Sequence, residues 1–162
     1  VTDRQPQPSD GPDYHADLAA WRRRQDKLGW RTYHGYNRSG NPSSSHLVTV
    51  DLGDGQGERL LAPAPGPVKS SEYSWGYAGS GPAETARSIL FDHLGEEVHP
   101  ACYQAYKAQV VARWPQDGDW STTGSAITDW LIMYRQRDRG PITVAERQAE
   151  LDEPFEYRQG PD

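Results

Sequence analysis

The sequence predicts an α+β domain: a small N-terminal antiparallel β-meander packed by three short helices. Three observations point to it. Residues 30–62 hold short alternating and β-branched stretches separated by polar, glycine-bearing turns. Residues 80–137 hold three stretches with apolar residues at helical spacing, each bounded by Gly or Pro. The 16 glycines and 13 prolines are too many for an all-helical bundle and too irregularly placed for collagen.

Residues 1–12 (VTDRQPQPSDGP) are polar with three prolines and are expected to be a disordered tail. The domain is expected over 13–140. Within it, 13–28 fits a helical arm, with Leu18, Trp21, Gln25 and Leu28 at helical spacing and Gly29 as its stop. WRTYHGY, from Trp30, and HLVTVDL, from His46, read as the first two strands of a meander over 30–62. The polar loop NRSGNPSSS separates them. A turn at Asp54-Gly55 leads into ERLLA as a third strand. APAPGPVK (62–69) holds neither a ladder nor a helix and serves as a semi-extended connector.

Residues 73–137 are expected to be an aromatic strand plus three helices. EYSWGY (72–77) alternates aromatic and small residues, as a strand or extended arm does. Gly81 then fits a helix N-cap, Pro82 the first helical position and Glu84 the first turn. Ala83, Ala86, Leu90 and Leu94 form the apolar stripe, and Gly95 ends it. A second helix runs from near Pro100, with Tyr103, Tyr106, Val110 and Trp114 in phase, to Pro115. QDGDWS is a tight polar turn. Ser121, Thr122 or Thr123 caps a third helix, whose inner face is Ile127, Trp130, Leu131 and Tyr134. Gly140-Pro141 closes it. Residues 141–150 fit a further short helix within an acidic tail at 141–162. Large aromatics, each burying roughly 150–250 Å², offset an apolar content of only 35%.

The net charge is −6, and the tail supplies −4 of it. This excludes a generally basic nucleic-acid binder. Two local patches remain, Arg22, Arg23, Arg24 and Lys27, then Arg135, Arg137 and Arg139; the plain alternative is solvated helix surface. No apolar run approaches the ~18 residues of a membrane span. A single cysteine forms no internal disulfide, so a cytoplasmic protein is expected.

Most chemical motifs fail on inspection. Gly76 and Gly81 have phosphate-loop spacing, but Pro82 and Ala83 stand where Lys and Ser/Thr are needed. Glu84 would repel the pyrophosphate of a dinucleotide, and Ala78 breaks the frame of a serine nucleophile elbow at Ser80. His93, His99 and Cys102 include zinc-ligand types, yet their spacing matches no strong zinc signature and no fourth ligand is evident. Glu96/Glu97 and Asp117/Asp119 lie in turns and read as solvated, not as catalytic pairs. The second and third helices suggest a helix-turn-helix, but their link is too long and the reading end of the third carries Asp129. No catalytic constellation remains and no cofactor is expected. One candidate ligand surface survives: Tyr73, Trp75, Tyr77, Gly79, Ser80 and Gly81, where a glycine-rich turn presents backbone N–H groups at a helix start beside three aromatics. Its plain alternative is close packing of strand on helix.

The run Trp75-Gly76-Tyr77-x-Gly79-Ser80-Gly81-Pro82 resembles the signature of an uncharacterised bacterial family of unknown function. The similarity continues through Asp92-x-Leu94-Gly95, Tyr103-Gln104-x-Tyr106-Lys107, Trp114-Pro115-x-Asp117, Trp120-Ser121 and Ile127-x-x-Trp130-Leu131. Tyr33-x-Gly35 opens a β segment similar to the family's N-terminal part, so the resemblance spans about residues 30–134. Ala78 and Tyr106 depart from the expected Gly and Phe. The resemblance implies short cytosolic proteins carried by phages, plasmids and mobile elements, and it implies no catalytic residue. The expected function is therefore a non-enzymatic accessory module that binds a protein partner. The alternatives are a DNA-binding accessory protein using the arginine patches, and a small-ligand protein or enzyme at the turn 76–82.

Overall fold

The computed structural model describes residues 29–38, 46–66, 72–138 and 140–152. The disordered tail and helical arm expected over 1–28, and the tail beyond residue 152, lie outside the described residues.

Strands form where alternation predicts them: β1 (Thr32–Asn37), β2 (His46–Asp51) and β3 (Glu58–Leu60). A fourth strand, β4 (Trp120–Thr123), is added from much later in the chain. The sheet is antiparallel, in the order β3-β2-β1-β4. Tyr33 lies opposite Val50, and Gly35 lies opposite both Val48 and Trp120. The two-residue period of a strand puts all five on one face, where Tyr33, Val48, Val50 and Trp120 enter the hydrophobic core. Gly35 is required there: a Cβ on it would stand 2.0 Å from the Trp120 indole nitrogen.

The helices cover that face. α1 (Ser80–Leu94) begins at an N-cap Gly79, two residues earlier than the Gly81 cap expected from sequence, with Pro82 accommodated in its first turn. Every residue from Gly81 to Leu90 is buried, so α1 is the central helix. Glu84 sits past the first turn and pairs with Arg87 at 3.4 Å. Gly95 ends α1 in the left-handed conformation, as predicted. α2 (Pro100–Gln109) starts at Pro100, capped by His99, whose ring nitrogen accepts from the Ala101 N–H at 3.2 Å. It stops short of Trp114. The chain tightens into a 3₁₀ turn at Val111–Arg113, where the Val111 carbonyl accepts from the Gly76 N–H at 3.1 Å. α3 (Gly124–Asp138) is capped by Thr123, whose hydroxyl accepts from the Ala126 N–H at 3.1 Å.

Two expectations are corrected. Residues 72–77 are not a strand: the Ser74 N–H bonds the Thr85 hydroxyl at 3.0 Å and the Gly76 N–H bonds Val111, so the backbone turns inward instead of pairing. Residues 141–152 are not part of a tail. Ile142 is buried, Val98 bridges Thr143, and α4 (Val144–Asp152) follows, held by an ion pair from Glu146 to the buried Arg135.

Candidate functional site

The glycine-rich turn is built as a lock. Trp75 is fully buried, its indole N–H donates to the Gly118 carbonyl at 3.0 Å, and the edges of His46 and Trp120 meet its ring. Trp114 stacks on Trp120 with centroids 3.8 Å apart. Gly76 has φ +84°, and a Cβ there would stand 2.5 Å from the Gln116 Cα. The Ser74 and Tyr77 hydroxyls share a hydrogen bond of 2.8 Å directly over Gly81, where a Cβ would lie 1.9 Å from the Ser74 oxygen. Tyr73 donates to the Leu61 carbonyl at 3.0 Å. Gly79 lies under the Tyr77 ring, and beside it Ser80 is exposed at the helix start. Trp75 thus offers no face to a ligand, whereas Tyr77, 42% exposed, does.

The other predicted residues are dispersed. Arg22, Arg23, Arg24 and Arg139 lie outside the described residues. Arg135 is 6% exposed and engaged by Glu146, which removes it from any phosphate-facing surface. Arg137 is exposed and lines a cleft of about 350 Å³ with Gln109, Met133, Tyr134 and Asp138. His93 is buried against Thr128, 3.0 Å from its hydroxyl. Burial, and then the neighbouring Arg31 charge, push its pKa down to about 4 against a smaller opposing effect of Asp92. Asp92 itself accepts from Arg31 at 2.8 Å and from the Tyr33 hydroxyl at 2.6 Å, tying β1 to α1. Burial pushes the Cys102 thiol up to about 12, an inert thiol. His93, His99 and Cys102 are therefore separately occupied, and no three metal-ligating side chains converge among the described residues. Glu96, Glu97, Asp117 and Asp119 are exposed.

The surface that the sequence reading passed over is the outer face of the sheet. By the same two-residue period it carries His34 and Tyr36 from β1, Leu47, Thr49 and Asp51 from β2, and Glu58 and Leu60 from β3. Leu47, Tyr36 and Leu60 belong neither to the core nor to the side chains packed against it, and Leu60 is 67% exposed. Glu58 organises the face. Its carboxylate accepts from the Tyr36 hydroxyl at 2.5 Å and faces His34 Nε2 at 3.4 Å. The His34 and Tyr36 rings lie nearly parallel, 6.0 Å apart. The hydrogen bond to Glu58 raises the Tyr36 pKa above its ordinary value. Tyr36 and Glu58 stand on strands either side of β2, so they meet over Thr49, which is only 5% exposed. Signals existed in the sequence (alternation in TYHGYN and HLVTVD), but the meeting of Tyr36 with Glu58 depends on the register of three strands.

A model described as a family of unknown function (DUF6166) matches residues 33–133. The chain belongs to this family. No match was found among curated proteins or among solved structures. The DUF6166 segment runs from Tyr33 to Met133 and so takes in both faces of the sheet, the glycine-rich turn, α1, α2 and most of α3. It leaves out α4, which is led in by the bridge of Thr143 to Val98 and held to the last turns of α3 through Arg135. No described helix is long and apolar enough to cross a membrane.

Proposed function

We propose that this chain is a non-enzymatic protein-binding module of the cytoplasm and that the outer face of the sheet is its docking surface. One observation carries the reading. The helices bury one face of a four-stranded sheet, while the other presents Leu60, Leu47 and the ordered His34–Tyr36 pair outside the core. Exposed apolar and aromatic groups on a rigid sheet provide desolvation and shape with little conformational entropy to lose. An accessory role in a phage or mobile element, the setting implied by the resemblance of the Trp75–Pro82 run, is part of the same proposal.

The test compares capture of host proteins by the full chain and by its Leu60→Gln and Tyr36→Ala variants, with circular dichroism as the check on folding. A stoichiometric partner held by the parent and lost by both folded variants is the expected result. A partner retained equally by all three overturns this placement.

A further inference from the structure

We propose that the outer face takes a basic partner, an Arg- or Lys-bearing protein segment seated on the Tyr36 ring beside the carboxylates of Glu58 and Asp51. This rests on the docking surface proposed above and names the chemistry it selects. Two independent observations converge. The first is charge. Asp51 and Glu58 are direct cross-strand neighbours on this face. Asp119 lies at its β1 end, accepting from the Asn37 N–H at 2.8 Å. The exposed Arg59 is already opposed by Asp54 at 3.6 Å. Like charges placed directly opposite each other destabilise a sheet, and a cation seated between Asp51 and Glu58 relieves that repulsion.

The second observation is aromatic. The hydrogen bond from its hydroxyl to Glu58 holds the Tyr36 ring along the sheet, with His34 nearly parallel to it. A ring fixed flat beside carboxylates suits a guanidinium or ammonium, which gains from the π-face and from the negative charge together. The same carboxylates disfavour a nucleic-acid backbone, because they repel phosphate.

The test uses three synthetic twelve-residue peptides of one design, alternating Ser with Arg, with Gln or with Glu. Each is titrated into the isotope-labelled full chain and followed by amide chemical shifts. Saturable shifts of residues 32–37, 46–51 and 58–60 are expected with the Arg peptide alone. The joint variant Asp51→Asn, Glu58→Gln is expected to weaken that binding about tenfold, as removal of close charge pairs does at protein interfaces. Tyr36→Leu, which removes the π-face while leaving both carboxylates, is expected to weaken binding of the Arg peptide severalfold. Shifts confined to the acidic helix α4, or equal binding by the Gln or Glu peptide, overturn the inference. If a captured partner is lost on Leu60→Gln while no Arg peptide binds, the basic chemistry is wrong and the docking surface stands. If capture ignores both Leu60→Gln and Tyr36→Ala, the docking surface itself is wrong.

Discussion

The two faces of the sheet use the same residue types to opposite ends. On the inner face, Tyr33, Trp75 and Trp120 are enclosed, and every polar handle but one is spent on internal partners: Tyr33 on Asp92, Trp75 on Gly118, while the Trp120 indole N–H goes without. On the outer face, Tyr36 and His34 are only half-buried and spend their polar atoms on a surface carboxylate. Aromatic alternation in a sequence thus does not distinguish a lock from a docking surface. On the inner face the Trp120 indole crosses the backbone at Gly35, where no side chain fits; among the described glycines none has a missing Cβ that would meet the outer pair.

The largest expected effect lies on the inner side. Gly76→Ala forces a left-handed residue to carry a Cβ into the Gln116 backbone, 2.5 Å away. It is expected to cost about 3–4 kcal/mol, from overpacking and backbone strain together. A denaturant melt reads it, and a loss under ~1 kcal/mol breaks the description of residues 74–81 as a lock. His93 provides the next effect. Its folded pKa of about 4 lies below the ordinary 6.5, so the unfolded chain takes up the proton first as pH falls. The stability it contributes is complete above about pH 6.5 and is lost by about pH 4, roughly 3 kcal/mol in all. Melts across that window should show the decline, and His93→Gln should flatten it. The smallest effect on stability is expected outside: Leu60→Glu should change it by no more than about 0.5 kcal/mol, as exposed substitutions do. A loss as large as that of Gly76→Ala would erase the distinction between the faces.

Much of the architecture was legible because local signals agreed with the fold. β1, β2 and β3 followed from alternation, and α1, α2 and α3 from helical spacing, from the stop at Gly95, the start at Pro100 and the cap at Thr123. β4 was not legible. WSTT is four residues between a turn and a helix, and its extended form comes from pairing with β1, about 85 residues earlier. The expected strand at 72–77 failed for the converse reason. Its alternating aromatics reflect a turn that inserts Trp75 into the core while Tyr77 folds back over Gly81. Arg135 dropped out of its basic patch because Glu146, eleven residues on, returns on α4 to pair with it. The outer face was half legible: its residues lie in the predicted strands, but the Tyr36–Glu58 contact spans 22 positions and needs the register of β1, β2 and β3.

Hydroxyl-radical footprinting of the captured complex against the free chain tests the central claim most directly, because it reads side-chain exposure residue by residue. Oxidation of Tyr36, His34 and Leu60 should fall on binding, while Tyr77 at the glycine-rich turn and Met133 at the α3 cleft keep their free-state reactivity. Protection of Tyr77 or Met133 with Tyr36 and Leu60 unchanged would contradict the account and move the docking surface to the helical side of the molecule.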